Sequence, residues 1–186
     1  MNPLLLDFPH ELYTERLHIR MPMPGDGRAV WEAINASLPE LRAWMLFAQV
    51  EQSVEDVEAV MRDSHTQFLQ RKELQLLLFH RDTGELIGSS GLHRINWDVR
   101  KFEIGYWIDT RHGGQGYMTE AVKAIGDFAF GELKARRVEI RCDRLNARSR
   151  AIPERLGFEL EGILRNDAVA MDGRQLRDTC IYALIR

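Results

Sequence analysis

Three glycines stand between a strand-like and a helix-like segment in IDTRHGGQGYMTEAVKAIGDFAF, which covers residues 108–130. Backbone N–H groups at the start of a helix have no partner within the helix, and the helix dipole makes that end partly positive. Glycines just before it let several N–H groups converge and keep Cβ atoms away from a bound anion. Gly113, Gly114 and Gly116 therefore predict either an anion-binding loop or a tight loop without a ligand.

The spacing of these glycines differs from two other phosphate-binding motifs. A Walker P-loop requires a Lys directly after its second glycine, and no Lys follows here. A dinucleotide fingerprint requires a third glycine where this chain has Thr119, and it belongs near the first strand of a parallel sheet. The remaining pattern is R-x-x-G-x-G, from Arg111 through Gly114 to Gly116.

The segments around the glycines predict a strand, loop, helix, strand unit within a longer series of strands. KFEIGYWI precedes the loop as a strand, a helix runs from about Met118 to Leu133, and RVEIRC follows as the next strand. Upstream, Asp26 and Ser53 are candidate N-caps of two helices, and Asp56 completes a capping box with Ser53. Two apolar runs joined by RDTGE predict a hairpin. This order predicts an α/β fold with a mixed, mostly antiparallel sheet flanked by helices.

Length, composition and charge limit the possible classes of protein. A chain of 186 residues predicts one domain, residues 1–186. A net charge of -3 gives no reason to expect nucleic acid as a partner. No apolar run approaches the roughly 20 residues of a membrane span, and the N-terminus lacks a signal-peptide core. Cys142 and Cys180 form no C-x-x-C pair or Cys/His cluster, so we expect no metal site and a cytoplasmic protein.

Four motifs together make the chain resemble one known family. They are EIGYWID before the glycines, GQGYMTEA through the loop, NARS after the next strand, and ERLGFELEG beyond it. This series resembles the GNAT superfamily of N-acetyltransferases, and within it the branch of the ribosomal-protein N-terminal acetyltransferases RimJ and RimL. The resemblance implies acetyl-coenzyme A as co-substrate. It also implies a pair of parallel strands, before the loop and after its helix, that splay apart to form the cofactor cleft.

The resemblance assigns cofactor contacts residue by residue. The pantetheine arm would lie along GYWI, with Ile108 nearest the motif register, and the pyrophosphate would meet N–H groups from His112 to Met118. Asn146 would contact the pantetheine arm, and Ser149 would lie near the thioester sulfur. The implied cofactor-binding residues are Ile108, Arg111, His112, Gly113, Gly114, Gln115, Gly116, Tyr117, Met118, Thr119, Asn146 and Ser149.

The reaction that the resemblance implies is direct attack of a neutral amine on the thioester, which requires a base and a proton donor for the leaving thiolate. Many family members use a Tyr as the donor at the position of Pro153, so Ser149 is the favoured donor here. The base is Glu103, Asp167 or water alone, because Ala168 stands where the ribosomal branch often has Glu. Exposed carboxylates without a catalytic role are the alternative.

The acceptor is less constrained than the donor. The resemblance favours a protein N-terminal α-amine, such as that of a ribosomal protein. A polyamine, an amino sugar or an amino acid is the alternative, the acyl group could be larger than acetyl, and a non-catalytic acyl-coenzyme A binding module is a further class. Trp44 and Trp97 are candidate walls of an acceptor groove, with core packing as the alternative. Homodimers are common among relatives, so a homodimer is possible.

Overall fold

The computed structural model describes residues 2–186 and contains an eight-stranded sheet with helices on both faces. The strands are β1 (Glu11–Tyr13), β2 (Leu17–Arg20), β3 (Leu74–His80), β4 (Leu86–Asn96), β5 (Lys101–Ile108), β6 (Arg137–Asp143), β7 (Glu159–Val169) and β8 (Leu176–Ile185). The α-helices are α1 (Gly27–Ala36), α2 (Leu38–Leu41), α3 (Val54–Leu69), α4 (Tyr117–Gly131) and α5 (Ala147–Arg155). Short 3₁₀ turns cover Pro3–Leu5, Leu46–Gln49 and Thr110–His112. Of the helices described, none is long and apolar enough to span a membrane.

The sheet has the strand order β1-β2-β3-β4-β5-β6-β8-β7, and every neighbouring pair except β5 and β6 is antiparallel. The parallel pair is joined by α4, as parallel neighbours require a crossover connection. Only Lys101–Glu103 of β5 pairs with β6, at Arg137–Glu139, and both strands then continue without pairing to each other. This confirms the predicted mixed sheet and its splayed parallel pair.

Side chains from the sheet alternate between two apolar clusters. In β3, Leu76 and Leu78 contribute to the cluster that contains the buried face of α4, whereas Leu77 contributes to the cluster under α1 and α3. The face of α4 that packs against β5 includes Val122 and Ile125, which are fully buried. The start of α4 is therefore fixed relative to the sheet, and so is the end of the glycine segment that precedes it.

Two predicted helix starts differ in their chemistry. The capping box of α3 is confirmed, because Ser53 Oγ accepts from the Asp56 N–H at 3.1 Å and the Asp56 carboxylate accepts from the Ser53 N–H at 2.9 Å. Asp26 is the N-cap residue of α1, as predicted, but its side chain makes no capping hydrogen bond there. Its carboxylate instead accepts two hydrogen bonds of 2.7 Å from Arg20. The N–H of Gly27 donates to Glu58 of α3, at 2.9 Å, so a neighbouring helix caps α1.

Candidate active site

A cavity of about 750 Å³ occupies the space where β5 and β6 diverge. One wall is the free side of β5 from Glu103 to Trp107, and the other includes Cys142 at the end of β6 and Ser149 of α5. The cavity continues to Trp44 and to the end of β7, and its lining includes Val169, which is 55% exposed, so it reaches the surface. Its volume is in the range of small-molecule sites, roughly 300–1,000 Å³.

The glycine loop, which follows the strand β5 that forms one wall of the cavity, presents a row of unpaired donors. Gly114 and Gly116 have φ angles of +75° and +83°, in the left-handed region that favours glycine. Among residues 2–186, no group accepts a hydrogen bond from the backbone N–H groups of Gly114 to Thr119. A Cβ atom on Gly114 would have no neighbour within 4 Å, so the space above the loop is open. These features fit the pyrophosphate of coenzyme A.

The first two N–H groups of the predicted pyrophosphate loop are already paired with backbone carbonyls. The His112 N–H donates to the Asp109 carbonyl at 2.9 Å, and the Gly113 N–H donates to the Thr110 carbonyl at 3.1 Å. Both donors therefore belong to the 3₁₀ turn before the glycines. The row of donors available to an anion starts at Gly114, two residues later than the sequence predicted, and extends one residue further, to Thr119.

Arg111 is tied to a buried carboxylate instead of being free for an anion. Asp109 is fully buried and accepts from the Arg111 backbone N–H at 2.9 Å and from its Nε at 3.0 Å. Burial acts to raise the pKa of Asp109, but the hydrogen bonds from Arg111 outweigh it and hold that pKa below its ordinary value. The pair fixes the turn that leads into the glycines.

Arg16 and Glu120 anchor the loop from the other side, and no local sequence pattern indicates them. Arg16 Nη1 donates to the Gln115 carbonyl at 2.9 Å, and its Nε donates to Glu120 at 2.7 Å. Glu120, in the first turn of α4, also accepts from Thr14 Oγ1 at 2.6 Å. The residues that hold this contact are separated by about 100 positions in the chain, so only the folded structure reveals it. The loop conformation is thus fixed by the β1–β2 turn.

Other predicted cofactor residues lie at the end of β5, in the loop after it and at the start of α4. Ile108 ends β5 opposite Gly88 of β4, and its side chain is half-buried. The rings of His112 and Tyr117 meet edge to face with centroids 6.3 Å apart. Thr119 Oγ1 accepts from Arg155 Nη1 of α5 at 3.1 Å, which places an exposed guanidinium, absent from the predicted set, beside the start of α4.

Asn146 and Ser149 form the first turn of α5. Asn146 is the N-cap, and its Oδ1 accepts from the Ser149 N–H at 3.1 Å. Ser149 lines the cavity, and its Oγ lies 3.3 Å from the hydroxyl of Tyr106 on β5. The Tyr106 hydroxyl donates to the Ser149 carbonyl at 2.8 Å. Tyr106 was not among the predicted site residues.

The two candidate bases have different surroundings, although both line the cavity. The Glu103 side chain is 17% exposed, at the point where β5 and β6 stop pairing, and Arg94 Nη1 lies 3.3 Å from it. Burial raises the pKa of Glu103, and the charge of Arg94 only partly offsets this. Asp167 of β7 is exposed and pairs with Arg141 at 3.1 Å.

The two predicted acceptor walls are not brought together. Trp44 lines the cavity, with the guanidinium of Arg177 4.8 Å from the centre of its ring. Trp97 lies elsewhere, packed edge to face on Phe102, and its Nε1 donates to the Arg71 carbonyl at 2.9 Å. It lines a separate small cavity beside the N-terminal segment. The prediction that Trp97 is a wall of the acceptor groove is therefore wrong, because core packing holds its ring away from the cleft.

Comparison with known proteins identifies the family. The acetyltransferase (GNAT) domain family matches residues 16–159 of this chain. The chain belongs to the GNAT acetyltransferase family. Members of this family are acyltransferases that take the acetyl group from acetyl-coenzyme A, so the protein is an acetyl-coenzyme A-dependent enzyme.

Individual relatives of this GNAT enzyme align over nearly its whole length. A Bacillus subtilis protein named "Putative ribosomal N-acetyltransferase YdaF" is 33% identical over 93% of both chains. The ribosomal-protein-serine acetyltransferase of Escherichia coli is 27% identical over 92% of this chain and 94% of its own. The solved structure of RimL, a ribosomal α-N-protein acetyltransferase, in complex with coenzyme A has the same fold, with a TM-score of 0.86 at 23% identity over 92% of this chain and 95% of its own.

Proposed function

We propose that this GNAT enzyme transfers the acetyl group of acetyl-coenzyme A to the N-terminal α-amine of a protein, and that the acceptor is a ribosomal protein. The relatives named for ribosomal substrates support this acceptor class. The observation that carries the proposal is the cavity that joins Ser149 and Glu103 to the surface beside Trp44 and Val169. The end of an extended chain can enter such a cavity. A ribosomal acceptor would place the enzyme in the cytoplasm.

The cleft supports an assignment of the cofactor contacts. We assign the pyrophosphate to the N–H groups of Gly114 to Thr119, the pantetheine arm to the free side of β5 up to Ile108, and a further polar contact to Asn146. Arg155, beside Thr119, is a candidate contact for the phosphates. Because strands β1 to β8 share one sheet, we treat residues 1–186 as one acetyltransferase domain.

The catalytic roles use the two groups at the fork of the strands. Acetyl-coenzyme A supplies an acetyl thioester to the site. Glu103 accepts a proton from the attacking amine, directly or through water, because its raised pKa suits a general base better than that of an ordinary carboxylate. The amide C–N bond forms as the C–S bond of the thioester breaks, and Ser149 Oγ gives the leaving thiolate a proton that it regains from solvent. Asp167 is the alternative base.

The charge of the cavity does not favour a polyamine acceptor. A polycation would require a cavity with an excess of carboxylates. Here Glu103 is close to Arg94, Asp167 pairs with Arg141, and Asp143 pairs with Arg177. The negative and positive groups are balanced, which is consistent with an acceptor that brings one amine and a neutral backbone.

The proposal is tested with matched peptides. Peptides that carry the N-terminal sequences of ribosomal proteins are compared with the same peptides blocked at the α-amine, and with a polyamine, an amino sugar and free amino acids, by release of the coenzyme A thiol. We expect release with unblocked peptides only. Equal release with blocked peptides that contain Lys, or a higher kcat/KM with a small amine, would contradict the proposed acceptor.

A further inference from the structure

Pro153 lies inside α5 and interrupts its hydrogen bonds at a defined place. In a regular α-helix, the N–H of each residue donates to the carbonyl four residues earlier, and proline has no N–H. The carbonyl that loses its donor to Pro153 is therefore that of Ser149. Pro153 is buried and α5 continues to Arg155, so the helix extends past the position of the missing bond.

The missing donor is replaced from across the cleft. The Tyr106 hydroxyl donates to the Ser149 carbonyl at 2.8 Å, and Ser149 Oγ donates back to the same hydroxyl oxygen at 3.3 Å. Tyr106 belongs to β5 and Ser149 to α5, which follows β6. One phenol thus contacts both the backbone and the side chain of Ser149, at the place where β5 and β6 have stopped pairing.

The groups nearest to Ser149 Oγ remain protonated around neutral pH. Burial raises the pKa of Tyr106, and the hydrogen bond from Ser149 reverses only part of this effect. Burial likewise raises the pKa of Cys142, which also contacts Ser149, to about 11. The phenol therefore keeps the proton with which it binds the Ser149 carbonyl.

We propose that Tyr106 is a positioning residue for Ser149: its hydroxyl replaces the helix hydrogen bond that Pro153 removes and holds Ser149 Oγ in the cleft. This inference rests on the proposed role of Ser149 as donor to the leaving sulfur, in which the single Oγ proton turns from the Tyr106 oxygen to the sulfur. Without Tyr106, the Ser149 carbonyl has no donor and the first turn of α5 can shift. Small displacements of a catalytic group cost a large part of its effect on the rate.

A double-mutant cycle with Tyr106→Phe and Ser149→Ala tests whether Tyr106 acts through Ser149. Phe keeps the ring and removes only the hydroxyl. With the most active amine acceptor, we expect Tyr106→Phe to lower kcat by about 10-fold and to change KM for acetyl-coenzyme A by less than roughly twofold. In the Ser149→Ala background, Tyr106→Phe should have almost no further effect on kcat. An equal loss in both backgrounds, or no loss in the wild-type background, would overturn the inference.

A second cycle needs no turnover, so it is independent of the proposed acceptor. Pro153→Ala restores an N–H that can donate to the Ser149 carbonyl, which makes the Tyr106 hydroxyl partly redundant. In the background that keeps Pro153, we expect Tyr106→Phe to lower Tm. In the Pro153→Ala background, the same substitution should lower Tm by less than half as much. The same Tm loss in both backgrounds would contradict the exchange of one donor for the other. If no amine were acetylated by the wild type, the proposed function would fail while this cycle still tested the contact.

Discussion

Gly114 and Gly84 have almost the same backbone conformation in different surroundings. Their φ angles are +75° and +72°, and at both positions a Cβ atom would have no neighbour within 4 Å. Gly84 lies in the β3–β4 hairpin, whereas Gly114 lies in the loop of unpaired N–H groups. Substitutions at these two glycines therefore separate the loss of stability caused by backbone strain from the loss of affinity caused by blocking the anion site.

We expect Gly114→Ala and Gly84→Ala to lose similar stability, about 1–2 kcal/mol of unfolding free energy, because both force an L-residue into the left-handed region. Only Gly114→Ala should raise the Kd for acetyl-coenzyme A, by about 10-fold, since its methyl group occupies the space of the pyrophosphate. Denaturant unfolding and binding calorimetry measure the two quantities. An unchanged Kd for Gly114→Ala would place the pyrophosphate elsewhere.

Glu103 and Asp167 are distinguished by isosteric amide variants. If Glu103 is the base, kcat/KM of the wild type rises with pH through the raised pKa of this carboxyl. Glu103→Gln should then lower kcat/KM by about 100-fold and remove its rise with pH. Asp167→Asn should leave both the value of kcat/KM and its rise with pH unchanged. The pH–rate profiles of the three proteins decide this. If the rise of kcat/KM with pH were lost in Asp167→Asn and retained in Glu103→Gln, Asp167 would be the base.

The raised pKa of Glu103 also predicts how stability depends on pH. The folded protein holds this proton more tightly than the unfolded chain, whose ordinary pKa is 4.5. The ionised carboxylate is therefore a cost to the folded state that appears as the pH rises above 4.5. We therefore expect the Tm of Glu103→Gln, relative to that of the wild type, to rise as the pH goes from acidic to neutral. A constant difference in Tm across this range would contradict the raised pKa.

At the scale of elements, the turn before α4 depends on a buried carboxylate with one cationic partner. Removing Arg111 leaves Asp109, which is fully buried, without its side-chain donor. We expect Arg111→Ala to lower the unfolding free energy by about 1–3 kcal/mol and to raise KM for acetyl-coenzyme A, because the glycine loop loses its support.

The matched control for Arg111→Ala is Lys123→Ala. Lys123 pairs with Asp127 one turn along α4, and both side chains are exposed. This substitution should cost only about 0.3–0.5 kcal/mol and leave KM unchanged. If the two variants lose equal stability, or if Arg111→Ala keeps the wild-type KM, the Asp109–Arg111 pair does not support the loop.

Elements with local signals could be predicted from the sequence. The capping box of Ser53 and Asp56 involves residues three positions apart, so its pattern is visible in the chain itself. The start of α1 was predicted near the right place but with the wrong partner, since Glu58 of α3 binds the N–H of Gly27. Asp26 is engaged by Arg20. Competition between neighbouring partners is a tertiary effect that spacing does not reveal.

At the scale of the whole molecule, the strand, loop, helix, strand unit could be predicted, but not the contacts that complete the site. The Arg16–Glu120 anchor and the Tyr106–Ser149 contact each join residues distant in sequence. Trp44 and Trp97 are equally plausible as groove walls in the sequence, and only packing places Trp97 against Phe102. The splay itself follows from pairing of β5 with β6 over Lys101–Glu103 alone, which the strand lengths do not indicate.

Acetylation of native ribosomal proteins tests the central proposal most directly. Ribosomal proteins without N-terminal acetylation are incubated with the enzyme and acetyl-coenzyme A, and acetylated residues are located by mass spectrometry. We expect one acetyl group on the α-amine of the first residue of a ribosomal protein, formed about 10-fold more slowly by Gly114→Ala at the same low concentration of acetyl-coenzyme A. Acetylation confined to Lys side chains, or transfer only to a small amine, would contradict a protein N-terminus as the acceptor.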